Sequence, residues 1–211
     1  MTNFIPIFPL SVVVYPGEVL NLHIFELRYK QLIRECIALK KPFGIPSMIG
    51  DKVSEFGTLV EVTFLEKEYD NGEMDICTKG LKVFRVLEII REVPDKLYSG
   101  AIVNYPDNPE AGNAALMAKV LDAIRELHAI LKISKDFHKP DKELVSYDVA
   151  HHAGLSPGQE YEMLQLMDEL HRLEYLKRHL KKVIPLMSEM ENLKERVKLN
   201  GHFRNLSMEN F

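Results

Sequence analysis

Between Phe8 and Tyr29 the chain passes through Val12, Val13 and Val14, breaks at Tyr15-Pro16-Gly17, and resumes as Val19, Leu20, Leu22 and Ile24. Beyond Phe25 the spacing changes: Leu27, Leu32, Ile33, Cys36, Ile37 and Leu39 follow one face of a 3.6-residue period. The pattern predicts strand, turn, strand, helix. Pro16 presets φ for the second position of a tight turn, and Gly17 accepts the positive φ a type II turn requires at the third.

Alternation dominates the next stretch. Residues 4–8 read as a short strand in which Pro6 calls for a sheet edge, and residues 42–49 as an extended piece closed by Gly50-Asp51. Residues 57–70 place Val60, Val62 and Phe64 on one side of a strand. Asn71-Gly72 follows and suits a type I′ hairpin turn, so 73–78 is the expected partner. Lys79-Gly80 predicts a bulge or corner, with further strands over 83–93 and 97–105 separated by Pro94-Asp95. Many short strands joined by turns, with one inserted helix, predict a small closed or half-closed barrel.

Tyr105 to Asn113, rich in Pro, Asn and Gly, marks a boundary, so the expected division is 1–105 and 106–211. After it the period becomes helical through Leu116, Val120, Leu121, Ile124, Leu127, Ile130 and Leu131. Ser156-Pro157-Gly158-Gln159 predicts a helix start with a capping box and proline at its first position. The helical face continues to Ile184, Pro185 calls for a kink or restart, and Asn200-Gly201 for a stop with a fraying end beyond.

The opening block, Pro9-Leu10, Tyr15-Pro16-Gly17 and Leu22-x-Ile24-Phe25-Glu26-x-Arg28-Tyr29, resembles the N-terminal substrate-binding domain of Lon proteases, especially short bacterial proteins made of that domain alone. Gly57-Thr58, Asn71-Gly72-Glu73 and the run from Cys77 through Gly80 to Arg85 carry the same resemblance, in the same order. It implies an α+β fold: a PUA-like β-pseudobarrel with one inserted helix, followed by a C-terminal α-helical bundle. It also implies a module that binds unfolded or apolar peptide segments or a dedicated protein partner, in connection with ATP-dependent proteolysis. Tyr15, Phe25, Arg28 and Tyr29 are the candidate peptide or protein contacts. Against that role stands a structural one, in which Arg28 bridges to loop carbonyls or to Glu26 and fixes how the helix leaves the barrel.

Composition narrows the alternatives. With 27 basic against 31 acidic residues the formal charge is −4, which offers no general attraction to nucleic acid or anionic lipid. No apolar run approaches the roughly 18 residues of a membrane span, and the start carries no secretory pattern. Cys36 and Cys77 stand apart from any CxxC and read as reduced core residues, which fits a cytoplasmic location. No GxxxxGK[ST] is present, and the Lon serine-lysine dyad belongs to a later domain, so neither ATP hydrolysis nor peptide cleavage is expected, and no cofactor.

The eight histidines lack metal-site spacing and read as exposed helical residues. Ala150-x-x-x-Gly154-Leu155-Ser156 has the spacing of a helix-turn-helix, yet the following helix opens with Glu160 and Glu162 and reaches no cation before Arg172. An ordinary helix pair is expected instead. Arg172, Lys177, Arg178, Lys181 and Lys182 share their helix with Glu169 and Glu174 and read as a solvated face. Met163, Met167, Met187 and Met190 serve either a helical core or an adaptable groove. Homo-oligomerisation through Met187, Met190, Leu193 and Val197 is the remaining alternative.

Overall fold

The structure, a computed structural model, describes residues 2–50 and 52–206, with side chains as far as Val197. It divides into two compact units, one of Met1–Ala111 with Leu155–Glu169, the other of Gly112–Gly154 with Leu170–Phe211.

The first unit is a six-stranded antiparallel sheet. Its strands are β1 (Asn3–Pro6), β2 (Val19–Ile24), β3 (Phe43–Ile49), β4 (Lys52–Glu68), β5 (Met74–Ile90) and β6 (Gly100–Asn104). They lie in the order β1-β6-β5-β4-β3, and β2 pairs with β5 off that path. Parallel bridges Ile7–Gly44 and Leu10–Ser47 tie the chain after β1 to β3, so the two ends of the path meet. The result is the PUA-like pseudobarrel. Pro6 lies on the terminal strand of the ladder, where its missing donor costs least.

Helix α1 (Leu27–Leu39) buries Leu32, Ile33 and Cys36 in the barrel core beside Phe8, Val14, Ile24, Phe43, Val60 and Ile76. A second apolar cluster joins Ile5, Ile7, Leu59, Phe84, Ala101 and Val103. Helix α4 (Pro157–Leu164) belongs to this unit and starts on the expected capping box: Ser156 accepts from the Gln159 amide, and Gln159 Oε1 from the Ser156 amide at 2.9 Å.

Several local expectations need correction. Val12, Val13 and Val14 form no strand, because the Val14 carbonyl accepts from the Thr58 hydroxyl and the Tyr15 amide donates to Glu18 Oε2. Side chains satisfy this backbone in place of a ladder. The type II turn does form: Glu18 N reaches Tyr15 O at 3.2 Å, with Gly17 at φ +83°. At the long hairpin only Gly72 has positive φ, and Gly72 N bonds to Tyr69 O. The turn is therefore a three-residue loop with a left-handed glycine, since type I′ needs two positive angles. The bulge expected at Lys79-Gly80 does form, Leu81 lying between the Leu59–Lys82 and Val60–Gly80 pairs, but β5 runs on through it as one strand.

In the second unit Asn113 caps α2 (Ala114–Leu131), which buries Met117, Val120, Leu121, Ile124 and Leu127. The four-residue α3 (Ser146–Val149) continues as a 3-10 turn, Ala150–His152. The helix expected from Pro157 onward instead stops at Leu164, and α5 (Glu169–Leu206) starts anew, with no proline or glycine to announce the break. α5 passes through Pro185 and through Asn200-Gly201 as helix. The proline removes one backbone donor, and the long flanking helix absorbs that loss. The fraying expected of the last ten residues reaches into 207–211, which lie outside the described residues.

Two surface expectations also change. Arg172 is fully buried, donating to Ser146 Oγ at 2.8 Å with its guanidinium 4.1 Å from the Tyr147 ring centre. His128 is buried as well, and its Nε2 lies 3.1 Å from the His152 carbonyl oxygen. Both residues are held by polar and aromatic partners inside the unit, so a solvated face describes neither.

Candidate functional site

The junction of β2 and α1 sets the candidate site. Ile24 enters the core, which turns Phe25 outward to 61% exposure. Glu26 takes the N-cap position with extended backbone (ψ 137°), but its carboxylate makes no cap bond. It accepts instead from Arg28, whose Nε and Nη2 approach the same Oε2 at 2.9 and 2.8 Å. The Arg28 guanidinium lies 4.6 Å from the Tyr29 ring centre, and that ring stacks on Phe8 at 3.8 Å. Burial pushes the Tyr29 phenol up from its ordinary pKa, against the opposing pull of Arg28. The phenol therefore stays protonated near neutrality.

Arg28 and Tyr29 open onto a cavity of about 550 Å³, lined also by Ile7, Pro9, Lys52, Val53, Ile89, Arg91 and Ser99. Among the described residues its lining carries three cations and no carboxylate.

A second depression, about 490 Å³, lies beside α1 and includes Leu27, Lys30, Gln31 and Leu97. Leu27 is 73% and Leu97 65% exposed, and they share this lining with Lys30, Gln31, Arg34, Glu35 and Asp70, while Phe25 lies outside it with its ring 6.2 Å from that of His23. The depression is braced from behind. Gln31 accepts from the Leu97 amide at 2.8 Å and donates to Asp95 O, while Glu35 takes Lys96 at 2.8 Å and the Tyr98 hydroxyl at 2.6 Å. The Lys96 and Tyr98 hydrogen bonds hold the Glu35 carboxyl below its usual range.

On the neighbouring strands His23 Nδ1 lies 2.6 Å from Asp75 Oδ1, and Tyr69 donates to the other oxygen at 2.7 Å. Asp75 raises the His23 pKa, chiefly through that hydrogen bond. Among the described residues no group of three His, Cys, Asp or Glu side chains could hold a metal ion. The Cys36 thiol, pushed up to about 12 by burial, is no nucleophile. No helix among the described residues is long and apolar enough to cross a membrane.

Compared with known families, residues 5–182 match the ATP-dependent protease La (LON) substrate-binding domain. The chain belongs to that family. A Lon N-terminal domain protein from Xanthomonas campestris superposes with a TM-score of 0.63 at 25% identity, covering 82% of this chain and 96% of that one. The N-terminal domain of a Mycobacterium avium complex Lon protease gives 0.60 at 14% identity, over 85% and 98%, and shares the fold. No curated protein matches the chain.

Within this LON substrate-binding domain the four residues singled out from the sequence occupy different environments. Phe25 is exposed, Arg28 and Tyr29 line the cavity, and Tyr15 has no exposed surface. Tyr15 donates to the Glu160 carbonyl at 2.9 Å, which gives it an architectural task. The Arg28–Glu26 bridge anticipated as a structural element is present, and the same arginine still faces the cavity. Lys52 and Arg91 escaped sequence reading. Each is a single cation at the end of a long strand, and only the barrel's register brings them to Arg28.

Proposed function

We propose that this LON-family chain is a recognition module that binds exposed apolar segments of other proteins without cleaving them, in connection with ATP-dependent proteolysis. The observation that carries the reading is the exposure of three large apolar side chains, Phe25, Leu27 and Leu97, the last two lining one depression that Gln31 and Glu35 brace. Large apolar side chains held outward by a hydrogen-bonded scaffold keep their area available to a partner, and binding recovers it from water. Burying one such side chain contributes roughly 1.5–3 kcal/mol.

Purified protein titrated into a panel of unfolded proteins and apolar peptides, with released fragments measured in the same tubes by mass spectrometry, tests this. Saturable binding with intact peptide is expected, weakened about ten-fold or more in the Phe25→Ala, Leu27→Ala double variant. Absence of binding across the panel, or appearance of fragments that depend on the protein, overturns it.

A second reading, self-association through α5, is favoured by one observation: Leu186, Met190, Leu193 and Val197 are all exposed on that helix.

A further inference from the structure

We infer that the cavity at Arg28 and Tyr29 captures the free C-terminal carboxylate of a peptide whose last residue is apolar. The inference rests on the recognition reading and names the chemistry of one subsite.

The cavity combines two surfaces that rarely serve one ligand group. Its floor is apolar: Ile7 and Tyr29 are buried at 2% and 7% exposure, and Ile89 presents its side chain at 38%. Arg28, Lys52 and Arg91 supply the cationic part of the lining, and no acidic residue joins them among the described residues. In a chain of net charge −4 this local excess runs against the overall balance. Among the described residues Arg28 pairs with Glu26, while Lys52 and Arg91 have no ion-pair partner.

Arg28 keeps capacity for an incoming anion. Nε and Nη2 are directed at Glu26, which leaves the Nη1 donors, and the Tyr29 ring holds the guanidinium plane in place. Arg91 is anchored through its backbone, whose carbonyl accepts from Ser99 Oγ at 3.1 Å. A volume of about 550 Å³ lies within the usual range of ligand sites, roughly 300–1,000 Å³.

A C-terminal apolar residue carries its carboxylate and its side chain on one carbon. The carboxylate can meet the cations while the side chain rests on Ile7 and Tyr29. An internal Asp or Glu can bring its charge to the same cations, but it carries no apolar side chain on the carbon next to that charge to rest on Ile7 and Tyr29. Charge-assisted hydrogen bonds to a carboxylate are the strong ones, and arginine favours them geometrically.

The test uses the full chain and three fluorescein-labelled peptides read by anisotropy. One ends in Leu with a free carboxylate; the second is the same peptide amidated at its C terminus; the third is amidated and carries an internal Glu near the end. Amidation is expected to weaken binding about ten-fold or more. The Lys52→Gln, Arg91→Gln double variant, with both side chains at the surface and an unchanged melting temperature, is expected to lose most of the difference between the free and amidated peptides, Arg28 alone retaining a remainder. Equal binding of the free and amidated peptides to the parent chain overturns the carboxylate assignment and leaves the recognition reading standing. Discrimination undiminished in the double variant removes it from this cavity. Full affinity for the internal-Glu peptide overturns the commitment to a C terminus. Failure of all three peptides, together with the wider panel, brings down the recognition reading itself.

Discussion

The hydroxyl of Tyr15 donates to the backbone carbonyl of Glu160 at 2.9 Å, joining two residues 145 positions apart inside one compact unit. Tyr15 is wholly buried, so the phenol reaches a partner that water cannot replace. Tyr15→Phe should lower stability by about 1 kcal/mol, the net worth of one hydrogen bond, and leave peptide affinity unchanged. Tyr15→Ala should cost about 3–5 kcal/mol through the cavity it opens. Urea denaturation gives both values. Loss of peptide affinity in a stably folded Tyr15→Phe protein would make the residue a contact after all.

Gly80 sits against the same turn. Its amide donates to Glu18 O, its carbonyl accepts from Gly17 N at 2.9 Å, and a Cβ placed on it would lie 2.2 Å from the Tyr15 carbonyl oxygen. The Tyr15 backbone cannot yield cheaply, and the Thr58 methyl stands 3.3 Å from the same point, so Gly80→Ala should destabilise by about 3 kcal/mol or more. Gly158 is the contrast, lying in the first turn of α4 with nothing near its Cβ position. Gly158→Ala should stabilise by roughly 0.4–1 kcal/mol, because alanine loses less backbone entropy there. Thermal melts of the two variants moving in the same direction would contradict this account at one of the two positions.

Histidines of the second unit set an acid limit. Burial, then His128, Lys135, His151 and His138, lowers the pKa of His152 below 6.5, and its Nδ1 has no hydrogen-bond partner among the described residues. Burial likewise lowers His179, although the Ala153 and Gly154 carbonyls oppose the shift and Lys182 adds to it. A ring that ionises less readily when folded stabilises the fold fully above its unfolded pKa. That contribution falls away as the pH drops below it. Stability should therefore decline as the pH falls below about 6.5, with a shallower slope in the His152→Asn, His179→Asn variant. Glu35, held below 4.5, adds its own loss only under more acid conditions. His23 shifts the opposite way, but it is 49% exposed and screened by water. An unaltered slope in the double variant would assign the decline to other groups.

Elements with local causes were legible in the sequence. The Pro16-Gly17 turn, the 3.6-residue spacing of α1 and the Ser156–Gln159 capping box each depend on residues a few positions apart. Features with distant causes were not. Thr58 takes the Val14 carbonyl away from strand pairing, and Ser146 with Tyr147 draws Arg172 into the interior of its unit. The candidate site divides in the same way: Phe25, Arg28 and Tyr29 form one contiguous motif, whereas Lys52 and Arg91 come from the far ends of two strands whose register is a tertiary property.

The last prediction concerns α5. Leu186, Met190, Leu193 and Val197 are 56%, 49%, 59% and 70% exposed and recur at intervals of four, three and four, the seam of a two-stranded coiled coil. Glu189 and Lys194 flank that seam at positions that face each other across a parallel pair, so a second copy would present opposite charges twice. Pro185 lies outside the stripe. If the seam operates, the protein should show a concentration-dependent dimer by light scattering. Leu193→Glu should then weaken association about a hundred-fold or more, because it places like charges where apolar side chains would meet. Helix content by circular dichroism should not change. A Glu189→Lys, Lys194→Glu exchange should retain the dimer, whereas Glu189→Lys alone should weaken it, since only the single change leaves like charges opposed. A mass that stays monomeric across the accessible concentrations would dispose of the seam and leave these four side chains to a different partner.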